Sequence, residues 1–92
     1  MTAYRLVAQP RADLDVAAAG LGREFLEESR DAYDRIGEDP LRYRKLESGI
    51  RRALLRRFPY AIYFAVESDV VVVLAVLHVS RNPAEWQRRR RT

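Results

Sequence analysis

The sequence predicts a small α+β protein in which an N-terminal helical hairpin packs on one face of an antiparallel sheet of about four strands. The first half carries helix-type apolar spacing interrupted by a Gly-Leu-Gly bend. The second half carries three β-rich segments separated by turn residues. With 92 residues the chain is long enough for one hydrophobic core and too short for two. We therefore expect residues 1–92 to form a single domain with the order β-α-α-β-β-β.

The opening strand and first helix are predicted from a short β-rich segment followed by proline. Residues 4–8 (YRLVA) precede Gln9-Pro10, and proline is favoured in the first turn of a helix. The Gly20-Leu21-Gly22 bend should end this helix at about residue 19.

The second helix is predicted over residues 23–36, because its apolar residues recur along one side of a 3.6-residue helix. Gly37 is expected to end the helix as a left-handed cap residue. The charged residues between the apolar positions predict a solvated outer face, which comprises Glu24, Glu27, Glu28, Arg30, Asp31, Asp34 and Arg35.

Three further strands are predicted over residues 50–58, 60–67 and 70–79. Pro59 and Ser68-Asp69 separate them, so consecutive antiparallel pairing is the simplest connection. Every residue from 70 to 77 is apolar, so apolar side chains point to both faces of this strand. The pattern indicates a central strand that is covered at least in part on both faces. Two short helices cover one face of such a sheet, so the second face is expected to remain as an apolar binding surface.

Composition excludes several classes of protein. There is no cysteine and a single histidine, so neither a disulfide framework nor a structural metal site is expected, and no cofactor motif is present. The N-terminus lacks a signal-peptide pattern and the longest apolar run has eight residues, which predicts a cytoplasmic protein without a membrane span.

Charge is distributed unevenly along the chain. Residues 1–41 hold five arginines and nine acidic residues, a net charge of −4, whereas residues 42–92 hold twelve basic and four acidic residues, a net charge of +8. A basic second half favours an anionic partner, either a nucleic acid or an acidic protein segment. No pattern indicates a small-molecule substrate.

Three motifs give the sequence a specific resemblance. They are Gly49-Ile50-Arg51-Arg52, the segment RFPYAIY over residues 57–63, and the ending H-x-x-R-x-P-x-x-W from His78 to Trp86. Together with the element order, they resemble the RelE/ParE superfamily, of the ParE-like, plasmid-stabilisation type. The resemblance implies a growth-inhibiting toxin of a type II toxin-antitoxin pair, neutralised by a cognate antitoxin whose binding positions the sequence does not indicate.

The resemblance leaves two mechanisms open. RelE-like members cleave mRNA in the ribosome, and ParE-like members block DNA gyrase by binding. Nuclease-like members usually carry arginine at the position of Tyr60 and often tyrosine at the position of Trp86, and tryptophan cannot transfer a proton. These departures favour gyrase inhibition by binding, without catalysis. A further departure is the helix before Gly20, which is shorter than the first helix that the family normally has.

The alternatives assign roles to a small set of residues. If the protein is a ribosome-dependent mRNA endonuclease, His78 is the expected catalytic residue, because an imidazole is the side chain best suited to proton transfer near neutral pH. A basic nucleic-acid-binding module is the third alternative. Under each of them the target or RNA contacts are expected at Arg51, Arg56, Arg81 and Trp86.

Overall fold

The computed structural model describes residues 4–81 and confirms the α+β class. Its elements are β1 (Arg5–Ala8), α1 (Pro10–Ala19), α2 (Gly22–Glu38), β2 (Arg44–Lys45), β3 (Arg51–Leu54), β4 (Tyr60–Glu67) and β5 (Val70–His78). The sheet has the order β1-β5-β4-β3-β2. It contains five strands where about four were expected, and it is mixed, because β1 runs parallel to β5 while all other neighbours are antiparallel.

The helical hairpin forms where the sequence predicts it. Gly20 ends α1 in the left-handed conformation, with φ 65°, and its N–H donates to the Ala17 carbonyl. The expected cap at Gly37 is wrong, because α2 continues to Glu38 and ends ahead of Pro40. Gly37 instead lies against β1: its carbonyl accepts the Tyr4 N–H at 3.0 Å, and a Cβ there would lie 3.6 Å from the Tyr4 carbonyl oxygen.

Both helices pack on one face of the sheet and bury the larger core cluster. Phe25 of α2 lies at its centre, with ring centroids 5.2 Å from Phe58 and 4.8 Å from Tyr60. Edge-to-face contacts of this kind add to the free energy gained by burying the rings. The buried members of the cluster are Ala12, Phe25, Ala32, Ile36, Ala53, Leu55, Ile62, Phe64, Val71, Val73 and Val76.

A β-bulge in β5 sets which side chains face each side of the sheet. Tyr63 pairs with Ala75 and Phe64 with Val73, so Leu74 is the extra residue. Leu74 and Ala75 consequently both belong to the cluster on the second face, which confirms that β5 is covered on both sides.

The expected open apolar surface on the second face of the sheet is wrong. Tyr63 and Leu74 are each 3% exposed and Leu77 is 5% exposed. Leu46 and Ile50, from the connection between β2 and β3, pack against this cluster. Ile50 was expected at the start of a strand, whereas Leu46 lies outside every predicted element, so its contribution to closing the face was missed.

The strand predicted over residues 50–58 is shorter in the structure. β3 ends at Leu54, and residues 55–59 form a loop before β4 begins. β4 has the predicted limits, and β5 ends one residue earlier than expected, at His78. Within residues 4–81 no helix is long and apolar enough to cross a membrane.

Tyr33 of α2 carries a buried hydroxyl without a hydrogen-bond partner in the described part of the chain. Burial, reinforced by the nearby charges of Asp13 and Asp15, raises the pKa of Tyr33 to about 12. An unpaired buried hydroxyl costs about 1–3 kcal/mol of desolvation free energy.

We expect Tyr33→Phe to raise the free energy of unfolding by about 1 kcal/mol, because it removes the unpaired hydroxyl and leaves the ring in place. Urea denaturation followed by circular dichroism measures the change. Tyr43→Phe is the control, since the Tyr43 hydroxyl is not among the buried unpaired atoms, and its effect should be near zero. A loss of stability in Tyr33→Phe would contradict the assignment.

Candidate functional site

The loop between β3 and β4 is held by one buried carboxylate. Glu28 of α2 is only 6% exposed, and its carboxylate accepts the backbone N–H groups of both Arg56 and Arg57, the latter at 3.1 Å. The Arg57 Nε also donates to the Glu28 Oε1 at 3.3 Å. Because the carboxylate captures two successive N–H groups, the chain leaves the sheet at this point instead of continuing β3.

The environment of Glu28 favours its charged form. Burial by itself raises the pKa of the carboxyl, but the backbone hydrogen bonds from Arg57 and Arg56 and the charge of the Arg57 guanidinium outweigh it. The net pKa of Glu28 therefore lies below its ordinary value. The prediction that Glu28 belongs to a solvated outer face is wrong, since it is a buried acceptor.

The two arginines of the loop have different surroundings. The Arg57 guanidinium lies against Glu28, with the more distant Glu24 carboxylate at 3.9 Å. The Arg56 backbone is fixed by Glu28, while Arg56 itself is exposed to solvent. The loop thus presents one anchored and one outward arginine.

The end of β5 lies beside this loop. Tyr60 pairs with His78 in the sheet, and the Val79 N–H donates to the Pro59 carbonyl at 2.9 Å. His78 accepts the Ser80 N–H at its Nδ1, at 3.1 Å, and the Ser80 hydroxyl lies 2.9 Å from the same atom. We call this region the basic end of the sheet, consisting of Arg56, Arg57, His78 and Arg81.

A cavity of about 180 Å³ opens between α1 and the basic end. Asp15, Tyr60, His78 and Arg81 line it together with small apolar residues of α1 and β5. The Asp15 Oδ2 accepts the Val76 N–H at 2.9 Å, beyond the point where β1 stops pairing with β5. Asp15 therefore has a structural function at the cavity wall.

The structure brings together only some of the residues expected to contact a target. Arg56 and Arg81 lie at the basic end, and Trp86 lies outside the described residues. Arg51 lies at the other end of β3 and level with the middle of β4, because it pairs with Phe64 while His78 pairs with Tyr60. Four strand residues separate those positions by about 13 Å.

Arg51 also makes hydrogen bonds within its own chain. Its Nη1 donates to the Tyr43 carbonyl at 2.8 Å and to the Leu41 carbonyl at 3.3 Å. These bonds fix the segment between α2 and β2. Among residues 4–81, no group of three or more histidine, cysteine, aspartate or glutamate side chains is placed to hold a metal ion.

Two site residues were missed in the sequence analysis. Glu28 lies three residues after Phe25 and four before Ala32, both buried, so the helical period alone placed it on the inward side. Asp15 has the same position relative to Ala12, the buried residue of α1. In both helices the apolar period indicates the inward position of the carboxylate better than the residue type does.

Comparison with solved structures shows which fold this is. The chain is similar to the toxin-antitoxin complex RelBE2 from Mycobacterium tuberculosis (23% identity, 84% of this chain and 99% of that chain, TM-score 0.67). It is similar to the chromosomal ParDE system of P. aeruginosa (18% identity, 82% and 95%, TM-score 0.68). It also resembles a mutant of the E. coli toxin RelE in the free state (23% identity, 96% and 94%, TM-score 0.75). At these identities the likeness defines the RelE/ParE fold.

The family itself follows from the sequence. The model for the ParE toxin of the parDE type II toxin-antitoxin system matches residues 4–83. The chain therefore belongs to the ParE toxin family, within the RelE/ParE superfamily of type II toxins. The comparison with curated proteins gave no significant match.

We expect Glu28→Gln to lower the free energy of unfolding by about 2 kcal/mol at pH 7, because it weakens hydrogen bonds to a charged acceptor. Since the folded-state pKa of Glu28 lies below the unfolded value, this stabilisation is complete above the unfolded pKa and is lost as pH falls through the folded pKa. Unfolding curves between pH 7 and pH 3 should therefore show the two proteins converging on acidification.

Glu24→Gln is the matched control for this measurement. Its carboxylate lies 3.9 Å from Arg57, but its side chain is 74% exposed, so its loss should change the free energy of unfolding little at any pH. Equal effects of the two substitutions would show that the buried hydrogen bonds of Glu28 add nothing to the free energy of unfolding beyond an exposed ion pair.

Proposed function

We propose that this ParE-family toxin inhibits DNA gyrase by binding it, without cleaving a bond, and that it acts in the cytoplasm. Arg56 and Arg81 would contact the target from the basic end of the sheet. The observation that carries the proposal is Tyr60 beside His78, at the position where nuclease-like members usually carry arginine. Phosphodiester cleavage needs proton-transfer groups and charge-stabilising cations around one phosphate.

The hydrogen bonds of His78 also support a non-catalytic toxin. Its Nδ1 accepts the Ser80 N–H, so the imidazole ties down the turn that follows β5. Tyr60, beside it with ring centroids 5.3 Å apart, replaces the arginine usual in nuclease-like members. A tyrosine side chain has no cationic form, so it supplies no positive charge to a phosphorane.

We further propose that a cognate antitoxin neutralises the protein at the bend of the helical hairpin. An apolar groove there is lined by Val16, Leu21 and Leu26, and Leu14 of α1 is 60% exposed. Because the second sheet face is closed, this groove is a largely apolar surface that remains available to a partner among the described residues. The ParDE and RelBE2 neighbours are themselves toxin-antitoxin systems.

Gyrase supercoiling assays with the purified full-length protein test the proposal. We expect inhibition at micromolar concentration, weakened about tenfold in Arg56→Ala/Arg81→Ala, since each lost charge contact to a partner is worth roughly 0.5–1 kcal/mol. Arg11→Ala/Arg30→Ala removes two exposed helical arginines and serves as the charge-matched control. Unimpaired supercoiling at micromolar excess of the parent protein would refute gyrase as target.

A ribosome-dependent mRNA endonuclease is the second candidate. The cavity that His78 shares with Tyr60 and Arg81 favours it, because an imidazole and a guanidinium there line one concave site. Its products would be new 5′ ends in translated messages.

His78→Asn separates the two candidates, because the asparagine carbonyl can accept the Ser80 N–H but cannot transfer a proton. We expect growth arrest and gyrase inhibition to persist in this variant when it is induced without an antitoxin. If the parent produces translation-dependent mRNA cuts and His78→Asn abolishes both cuts and growth arrest, the nuclease mechanism is correct and the binding mechanism is not.

A further inference from the structure

We propose that the edge of the sheet opposite β1 binds the phosphate backbone of duplex DNA. The surface consists of Arg42, Arg44, Lys45 and Arg52, which we call the basic strip. It is distinct from the basic end of the sheet. The inference rests on the proposed function, because gyrase is the target that would bring duplex DNA to the toxin.

The pairing of β2 with β3 places like charges directly opposite each other. Arg44 pairs with Arg52, and Lys45 pairs with Arg51. Directly opposed residues share a face of the sheet and lie about 5 Å apart at Cβ, and like charges there destabilise the pair. Each face of this short ladder therefore carries two cations.

The strip has no internal counter-charge. None of its four side chains forms an ion pair within residues 4–81, and Arg42 instead lies over the Tyr43 ring, 5.6 Å from its centroid. Arg44 and Lys45 are exposed, and Arg52 is half-buried. The guanidinium of Arg51, held by the carbonyls of Leu41 and Tyr43, braces the segment that carries the strip. Neighbouring cations that lack an acidic partner within the chain favour the binding of an anion from another molecule.

The geometry of the edge favours phosphates over an acidic strand added to the sheet. The Leu46 N–H donates to the Ile50 carbonyl, so Leu46 and Ile50 form a hydrogen-bonded pair. Pairs alternate in an antiparallel ladder, so Lys45 and Arg51 form a non-hydrogen-bonded pair. Lys45 is consequently the one residue of β2 whose N–H and carbonyl point to the outer edge, which is too little backbone for strand addition.

Phosphates require no such backbone template. They are recognised by arginine and lysine side chains and by single N–H groups, and each contact releases condensed counterions. A narrow edge with cations on both faces can meet neighbouring phosphates of one backbone. The strip therefore has the chemistry of a sequence-independent DNA contact.

Anisotropy titrations of a short labelled DNA duplex with the full-length protein, between about 50 and 200 mM salt, test the strip. In Arg44→Gln/Lys45→Gln we expect the slope of log K against log salt to fall in magnitude by about 2 and the affinity at the lowest salt to fall about tenfold. Arg11→Gln/Arg30→Gln has the same net charge and should leave the slope unchanged.

The same proteins are added to gyrase supercoiling reactions, and single-stranded RNA is titrated in parallel. Weaker duplex binding together with weaker gyrase inhibition in Arg44→Gln/Lys45→Gln, but not in the control, supports the inference. Gyrase inhibition by the parent with equal duplex binding in all three proteins overturns the inference and leaves the proposed function intact. Strip-dependent duplex binding without gyrase inhibition supports the DNA contact and refutes the proposed function. Strip-dependent preference for RNA overturns the assignment to DNA.

Discussion

The conformation of the functional end of this protein depends on a buried carboxylate in the second helix. Glu28 accepts hydrogen bonds from two successive N–H groups of the β3–β4 connection. Burying a charged carboxylate costs free energy unless such bonds replace its hydration, so the fold depends on keeping them. The carboxylate thereby ends β3, starts the turn into β4 and fixes the direction in which Arg56 leaves the surface. The helical hairpin therefore does two things: it covers the core, and it carries the carboxylate that sets the conformation of the β3–β4 connection.

The sequence was sufficient for the fold class and for most element limits, and the reasons are local. Proline and glycine positions delimit α1 and its bend, and an uninterrupted apolar run identifies β5 as an inner strand. It was insufficient where long-range contacts decide. The early end of β3 depends on a carboxylate about 28 residues away, and the parallel pairing of β1 depends on how the hairpin crosses the sheet.

The candidate site was predicted in part for the same reason. His78 is the last residue of a strand whose end the sequence indicates, and Arg81 follows it. Arg56 lies near them because the chain turns at Pro59. Arg51 was grouped with them by residue type alone, although strand register places it far along the sheet. Two groups of cations thus lie at separate places on one sheet, the basic end and the basic strip. Under the two proposals above, the first would meet a target protein and the second the DNA that this protein holds.

The carboxylate of Asp15 has a consequence for behaviour at high concentration. β1 is shorter than β5, so the second half of β5 presents an edge that another molecule's strand could join. The Val76 N–H on that edge is already occupied by Asp15, and a negative charge now stands where an incoming strand would need a neutral carbonyl. The same carboxylate that fastens α1 to the sheet therefore guards against intermolecular β-aggregation, a hazard for any chain whose most hydrophobic segment is a run of valines.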